Sequence, residues 1–93
     1  MRQLDLKLKV KKFIESLPNK HQRQVKNAIL ALQENPLPHD SKKLIGYEPY
    51  RRVDIGEYRI IYRYDEVEEN IMVVLVGKRN DDAVYRIAER TLK

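Results

Sequence analysis

An α+β fold is what these 93 residues predict: an N-terminal helical hairpin packed on a small, mainly antiparallel sheet of three to four strands, followed by a short C-terminal helix. Three observations carry that prediction. Hydrophobic spacing changes from about 3.6 residues to 2 near Tyr47. Pro18, Pro36 and Pro38 punctuate the first half, where a missing N–H and a fixed φ end helices. There is no cysteine, so disulfides, thiolate chemistry and zinc ribbons are excluded and packing alone must hold the chain. No repeat, low-complexity tract or linker divides the sequence, which reads as one domain over residues 1–93.

Each element follows from local pattern. Leu6, Val10, Phe13, Ile14 and Leu17 fall at helical spacing before Pro18-Asn19 opens a turn. The same segment also alternates as Leu4, Leu6, Leu8, Val10, so a short strand running into the helix is a second reading. Val25, Ala28, Ile29 and Leu32 mark a second helix from about Lys20 to Glu34, ended by Asn35-Pro36. The short link makes the two helices an antiparallel hairpin. A loop is expected from Leu37 to Tyr47. Val, Ile and Tyr density then signals strands near 50–55, 58–65 and 70–77, with turns at Gly56-Glu57 and over the acidic stretch Asp65–Asn70. A last helix from near Asp81 to about Thr91 would bury Val84, Ile87, Ala88 and Leu92.

Charge separates the two halves in kind. Residues 1–46 carry ten Lys/Arg against four Asp/Glu, a net of +6, whereas residues 47–93 carry nine against ten, a net of −1. Eight of the ten lysines lie in the first half and seven of the nine arginines in the second. Lysine is a hydrated point charge suited to non-specific attraction, while the planar guanidinium grips phosphate oxygens through two parallel bonds. The first half therefore reads as an electrostatic apron and the second as the site. For any single lysine the plain alternative is a solvated helix surface. No apolar run approaches the roughly 18 residues of a membrane span, and charged residues stand where a signal peptide would be apolar, so a cytoplasmic location and no membrane partner are expected.

Strand parity yields a candidate site. With Gly56-Glu57 as a two-residue hairpin loop, Ile55 pairs with Tyr58, Asp54 with Arg59 and Arg52 with Ile61. Val53, Ile55, Tyr58, Ile60, Tyr62 and Tyr64 then share the face that packs on the helices, and Arg52, Asp54, Arg59 and Arg63 share the other. Arg79 follows the third strand close to the hairpin turn. Tyr85 lies about 100° from the apolar face of the last helix. Fixed positive charge beside a phenol suits a phosphodiester, and RNA above all. An ordinary cross-strand ion pair is the plain reading of Arg59 with Asp54, and Tyr58, Tyr62 and Tyr64 fall on core parity. His21 and His39 have no partner at metal-ligand spacing and are expected to face solvent; no metal or cofactor is implied.

In this order the residues resemble the RelE branch of the RelE/ParE superfamily of bacterial and archaeal toxins. The resemblance runs from Lys11 to Leu92 and includes Leu17-Pro18, Asn35-Pro36, Lys42-Lys43-Leu44, the hairpin Gly56-Glu57-Tyr58-Arg59-Ile60-Ile61-Tyr62, and Val76-Gly77-Lys78-Arg79 with Val84-Tyr85. It implies the RelE-like microbial RNase fold and the toxin component of a type II toxin-antitoxin system. The implied activity is a metal-independent endoribonuclease, a ribosome-dependent mRNA interferase that cuts message in the ribosomal A site. Arg59, Arg79 and Tyr85 would be catalytic; Arg52, Arg51, Lys78 and Arg63 would contact RNA phosphates. The implied partners are a cognate antitoxin protein, the ribosome and mRNA. Asp54 departs from the family pattern, in which many nucleases carry a second basic residue there; it is a candidate modulator of the site. A ParE-like inhibitor of DNA gyrase and a catalytically weakened binding module of the same fold are the alternatives.

Overall fold

The computed structural model describes residues 2–79 together with Arg86, Glu89 and Arg90. Seven elements run in order: β1 (Gln3–Leu6), α1 (Leu8–Glu15), α2 (Asn19–Glu34), β2 (Lys42–Lys43), β3 (Arg51–Ile55), β4 (Tyr58–Asp65) and β5 (Asn70–Lys78). The five strands form one mixed sheet in the order β1-β5-β4-β3-β2.

Two features extend the expected sheet beyond three or four strands. The ambiguous start resolves as a strand followed by a helix: β1 pairs parallel with β5, Gln3 opposite Asn70 and Leu6 opposite Val73, and α1 begins two residues later. The expected loop from Leu37 to Tyr47 contains β2, whose Lys42 and Lys43 pair antiparallel with Arg52 and Arg51. The sheet therefore has one parallel pair at one edge and a two-residue strand at the other. Of the expected last helix, Arg86, Glu89 and Arg90 are helical and exposed; the rest of that helix, Tyr85 included, lies outside the described residues.

The hinge between α1 and α2 is stitched by side chains. Ser16 Oγ donates to Phe13 O at 2.6 Å, and Gln22 Nε2 donates to Leu17 O at 2.8 Å and Glu15 O at 3.1 Å, which satisfies carbonyls that a helix end leaves without partners. At the far end of α2, Asn35 takes an extended conformation ahead of Pro36, as the clash before proline demands.

Parity assigns the main core correctly. Val53, Tyr58, Ile60 and Tyr62 are buried against Val10 and Ile14 of α1 and Val25, Ile29 and Leu32 of α2. The buried Tyr62 hydroxyl donates to Pro36 O at 2.7 Å, which ties β4 to the segment that leaves α2. On the opposite face a second, smaller cluster of Leu44, Ile61, Val74 and Leu75 is buried, with Tyr47, Tyr50 and Met72 packed against it. Ile60 and Ile61 are both fully buried, so the middle of β4 is apolar on both sides. The register shift between Ile61 and Tyr62 leaves Val74 as the extra residue on β5, the mark of a β-bulge.

The β3–β4 hairpin has the expected register: Ile55 opposite Tyr58, Asp54 opposite Arg59, Arg52 opposite Ile61. Gly56 has φ +56°, the left-handed conformation that a Gly-X two-residue loop requires at its first position. A Cβ there would also come within 2.7 Å of Gln24 Nε2.

Candidate functional site

Arg59 sits on β4 between the buried Tyr58 and Ile60, so its backbone is fixed by core on either side. Across the hairpin its Nε donates to Asp54 Oδ1 at 2.7 Å and its Nη2 donates to Asp54 Oδ2 at 3.1 Å. This is the two-pronged geometry in which a guanidinium binds a carboxylate or a phosphate. Two further arginines approach the same carboxylate: Arg52 Nη1 lies 3.8 Å and Arg79 Nη1 4.0 Å from Asp54 Oδ2. Among the described residues three cations thus surround one anion, a net charge of +2 for the four side chains.

Chain geometry explains why these four converge. Arg52, Asp54 and Arg59 share a face by the alternation of paired strands. Arg79 joins them because its backbone N–H donates to Glu57 O at 2.9 Å, pinning the end of β5 to the hairpin loop. Exposure rises outward from the carboxylate's closest partner: the Arg59 side chain is 13% exposed, Arg52 27% and Arg79 48%. The hydrogen bond from Arg59 holds the Asp54 carboxyl below the ordinary carboxylate range against the opposing effect of burial, and the charges of Arg59, Arg52 and Arg79 add to the lowering.

The other sequence-derived candidates lie elsewhere. Arg51 has the parity of the helix-packed face, opposite Tyr62, and its Nη2 donates to Ser41 Oγ at 3.0 Å. Lys78 is exposed opposite Tyr58, on the reverse face from Gly77 and Arg59. Arg63 is exposed opposite Met72, about 13 Å along β4 from Arg59 by strand rise. The expected continuous basic face is thus interrupted: Ile61 and the loop through Leu44, Tyr47 and Tyr50 cover its middle. Only Arg52, Asp54, Arg59 and Arg79 of the candidate set come together among the described residues.

Sequence reasoning missed two neighbouring features. A depression of about 210 Å³ beside Arg52 is lined by Lys43, Leu44, Ile45 and Tyr47; nothing local in the expected loop from Leu37 to Tyr47 says that it folds back. His21, expected to face solvent, is half-buried, with Nδ1 2.7 Å from Tyr58 Oη and 3.9 Å from Glu57 Oε2. Burial of Tyr58, with a lesser effect of the Glu57 charge, pushes its phenol pKa up. Among the described residues no three His, Cys, Asp or Glu side chains form a metal-binding group, and no helix is long and apolar enough to cross a membrane.

Two helices on a mixed five-stranded sheet, with arginines gathered at a hairpin end, define a small α+β protein with a cationic site at one end of its sheet. The family described as the ParE toxin of type II toxin-antitoxin system, parDE, matches residues 5–83, and the chain belongs to the RelE/ParE toxin superfamily. Solved RelE structures share the fold. The archaeal RelE-RelB complex from Pyrococcus horikoshii OT3 is 26% identical, with a TM-score of 0.74 over 84% of this chain and 94% of that one. A doubly substituted E. coli RelE toxin in the free state is 22% identical, with a TM-score of 0.79 over 99% and 98%. The RelB-RelE antitoxin-toxin complex from Methanococcus jannaschii is 23% identical, with a TM-score of 0.67 over 89% and 96%. A search of curated protein sequences finds no significant match.

Proposed function

We propose that this protein is the toxin of a type II toxin-antitoxin pair and acts as an endoribonuclease on mRNA in the ribosomal A site. The observation that carries this reading is the convergence of Arg52, Arg59 and Arg79 on one point of the sheet surface. Attack of a ribose 2′-hydroxyl on the adjacent phosphate builds negative charge on the phosphoryl oxygens. The 2′-oxygen–phosphorus bond forms as the phosphorus–5′-oxygen bond breaks, the 2′-hydroxyl gives up its proton and the departing 5′-oxygen takes one up from solvent, so the products are a cyclic phosphate and a 5′-hydroxyl. Preorganised guanidiniums stabilise that charge, each donor supplying about 3 to 4 kcal/mol in a well-formed site. Arg59 and Arg79 take this role, Arg52 holds the backbone, and Tyr85 orients the base. In this proposal side chains supply the positive charge at the phosphate and the reaction is metal-independent.

A cognate antitoxin is the second part of the proposal, and the complexes of the archaeal relatives with RelB support it. A groove of about 300 Å³ between β1, α1 and α2 is lined by Leu4, Leu6, Ile14, Ile29 and Leu30, with Lys11, Lys26 and Glu15 at its rim. Two lysines against one glutamate favour an antitoxin segment that is apolar on one side and acidic on the other.

The family match to ParE keeps one other reading in view, inhibition of DNA gyrase. Purified protein incubated with message, with and without ribosomes and in chelator, separates the two. Cleavage only with ribosomes supports the nuclease; intact message together with gyrase-dependent DNA breaks supports the ParE-like activity. Intact message and no DNA breaks leaves a non-catalytic binding module of the same fold.

A further inference from the structure

The acid at the centre of the cluster is at odds with a surface built to attract phosphate. Asp54 Oδ1 and Oδ2 accept the two parallel N–H bonds that Arg59 would otherwise give to a phosphoryl group, and Oδ2 is also the point nearest to Arg52 and Arg79. A carboxylate and a phosphodiester present the same pair of oxygens to a guanidinium. We propose that Asp54 is an internal counter-ion that occupies the phosphate position between Arg59, Arg52 and Arg79, aligns these guanidiniums while the site is empty, and must be displaced by the incoming phosphodiester. The inference rests on reading the cluster as an RNA phosphate site.

Three observations favour this role over that of a proton acceptor. The arginines hold the Asp54 carboxyl below its ordinary range, which makes it a weak base. Its bonds to Arg59 are short and two-pronged, whereas Arg52 and Arg79 lie beyond hydrogen-bond reach of its oxygen, at distances from which a phosphate with further oxygens can draw them in. The cluster also keeps a net charge of +2 around the carboxylate, so attraction for an anion survives its presence but is reduced. The consequence is selectivity: an isolated phosphodiester competes poorly with the resident carboxylate, and RNA that is already positioned, with several phosphates engaged at once, displaces it. Asp54 is a positioning residue that sets this threshold.

The test is fluorescence anisotropy with the full chain and a short single-stranded RNA carrying 2′-O-methyl riboses, which can bind but not be cut. Asp54→Asn, which keeps the shape and one acceptor, is expected to bind about tenfold tighter than wild type. Its salt dependence should steepen by about 0.7 in the slope of log K against log salt, because the site then meets the single strand with one more unit of net positive charge. Asp54→Glu, which retains the charge, should show neither the tightening nor the steeper slope. Equal or weaker binding by Asp54→Asn with an unchanged slope would overturn the proposal. The wild-type protein supplies a second reading that needs no variant: the Arg59 Nε–H resonance should shift as the RNA saturates the site, and a resonance that stays in place at saturation would overturn it equally. Absence of ribosome-dependent cleavage with the anisotropy result intact would refute the nuclease activity and leave the counter-ion in place.

Discussion

Arg59 and Asp54 face each other across the β3–β4 hairpin and are joined by two hydrogen bonds, of 2.7 and 3.1 Å. The pair locks the hairpin end of the sheet, and it sets the charge of the surface on which Arg52 and Arg79 meet. Stability and function are thus separable among the three arginines by their distance from the carboxylate.

Arg59→Gln should cost about 1.5 to 3 kcal/mol, the range for a hydrogen bond to a charged group that is largely removed from water. Arg79→Ala should stay within about 0.5 kcal/mol of wild type, since its half-exposed side chain reaches Asp54 only at ion-pair distance. Urea denaturation of both variants checks the contrast. Equal losses would show that Arg79 shares the structural role of Arg59.

Acid stability should carry the signature of Asp54. Its folded carboxyl lies below the ordinary value of 3.8, so the stability it contributes is fully present above about pH 4 and is lost as the pH falls through the folded pKa. Melting temperatures measured from pH 6 down to pH 2 should fall more steeply for wild type than for Asp54→Asn. Parallel curves would assign the acid sensitivity to other carboxylates.

Tyr62→Phe removes the buried bond to Pro36 O and leaves a carbonyl without its partner, which should lower stability by about 1 to 2 kcal/mol. The site residues are untouched. Cleavage per folded molecule should therefore equal that of wild type, and a loss of rate greater than the loss of folded protein would mean that the core tyrosine positions the hairpin.

All eight lysines of the first half are exposed, as an apron that meets ribosomal phosphates requires. Association with ribosomes should weaken steeply between low and physiological salt, because each neutralised phosphate releases counterions. Reversing Lys9, Lys11 and Lys12 to glutamate should flatten that dependence. An unchanged slope would restrict the contact to the arginines.

The hairpin register was legible because a two-residue loop at Gly56-Glu57 leaves one way to pair the strands, and from it came the core tyrosines and the partnership of Asp54 with Arg59. The edges of the sheet were not legible. Leu4, Leu6, Leu8 and Val10 satisfy a period of two and nearly satisfy a helix, and only the long-range parallel pairing with Ile71 and Val73 decides where strand gives way to helix. Lys42 and Lys43 carry no apolar pattern, so β2 exists through its bonds to β3 alone. Alternation placed Ile61 on the basic face without showing that Leu44 and Tyr47 would cover it. The approach of Arg79 depends on a backbone bond to Glu57 that no side-chain pattern encodes.

In the proposed reaction outward-facing guanidiniums stabilise a phosphate as its bond to the next nucleotide breaks. Mapping the ends of ribosome-bound message after treatment with wild type and Arg79→Ala, at temperatures where both are folded, tests it most directly. Wild type should leave fragments with 5′-hydroxyl ends, and the variant should cut more slowly by about 100-fold or more. Cleavage by Arg79→Ala at the wild-type rate, or no cleavage by wild type, would contradict it.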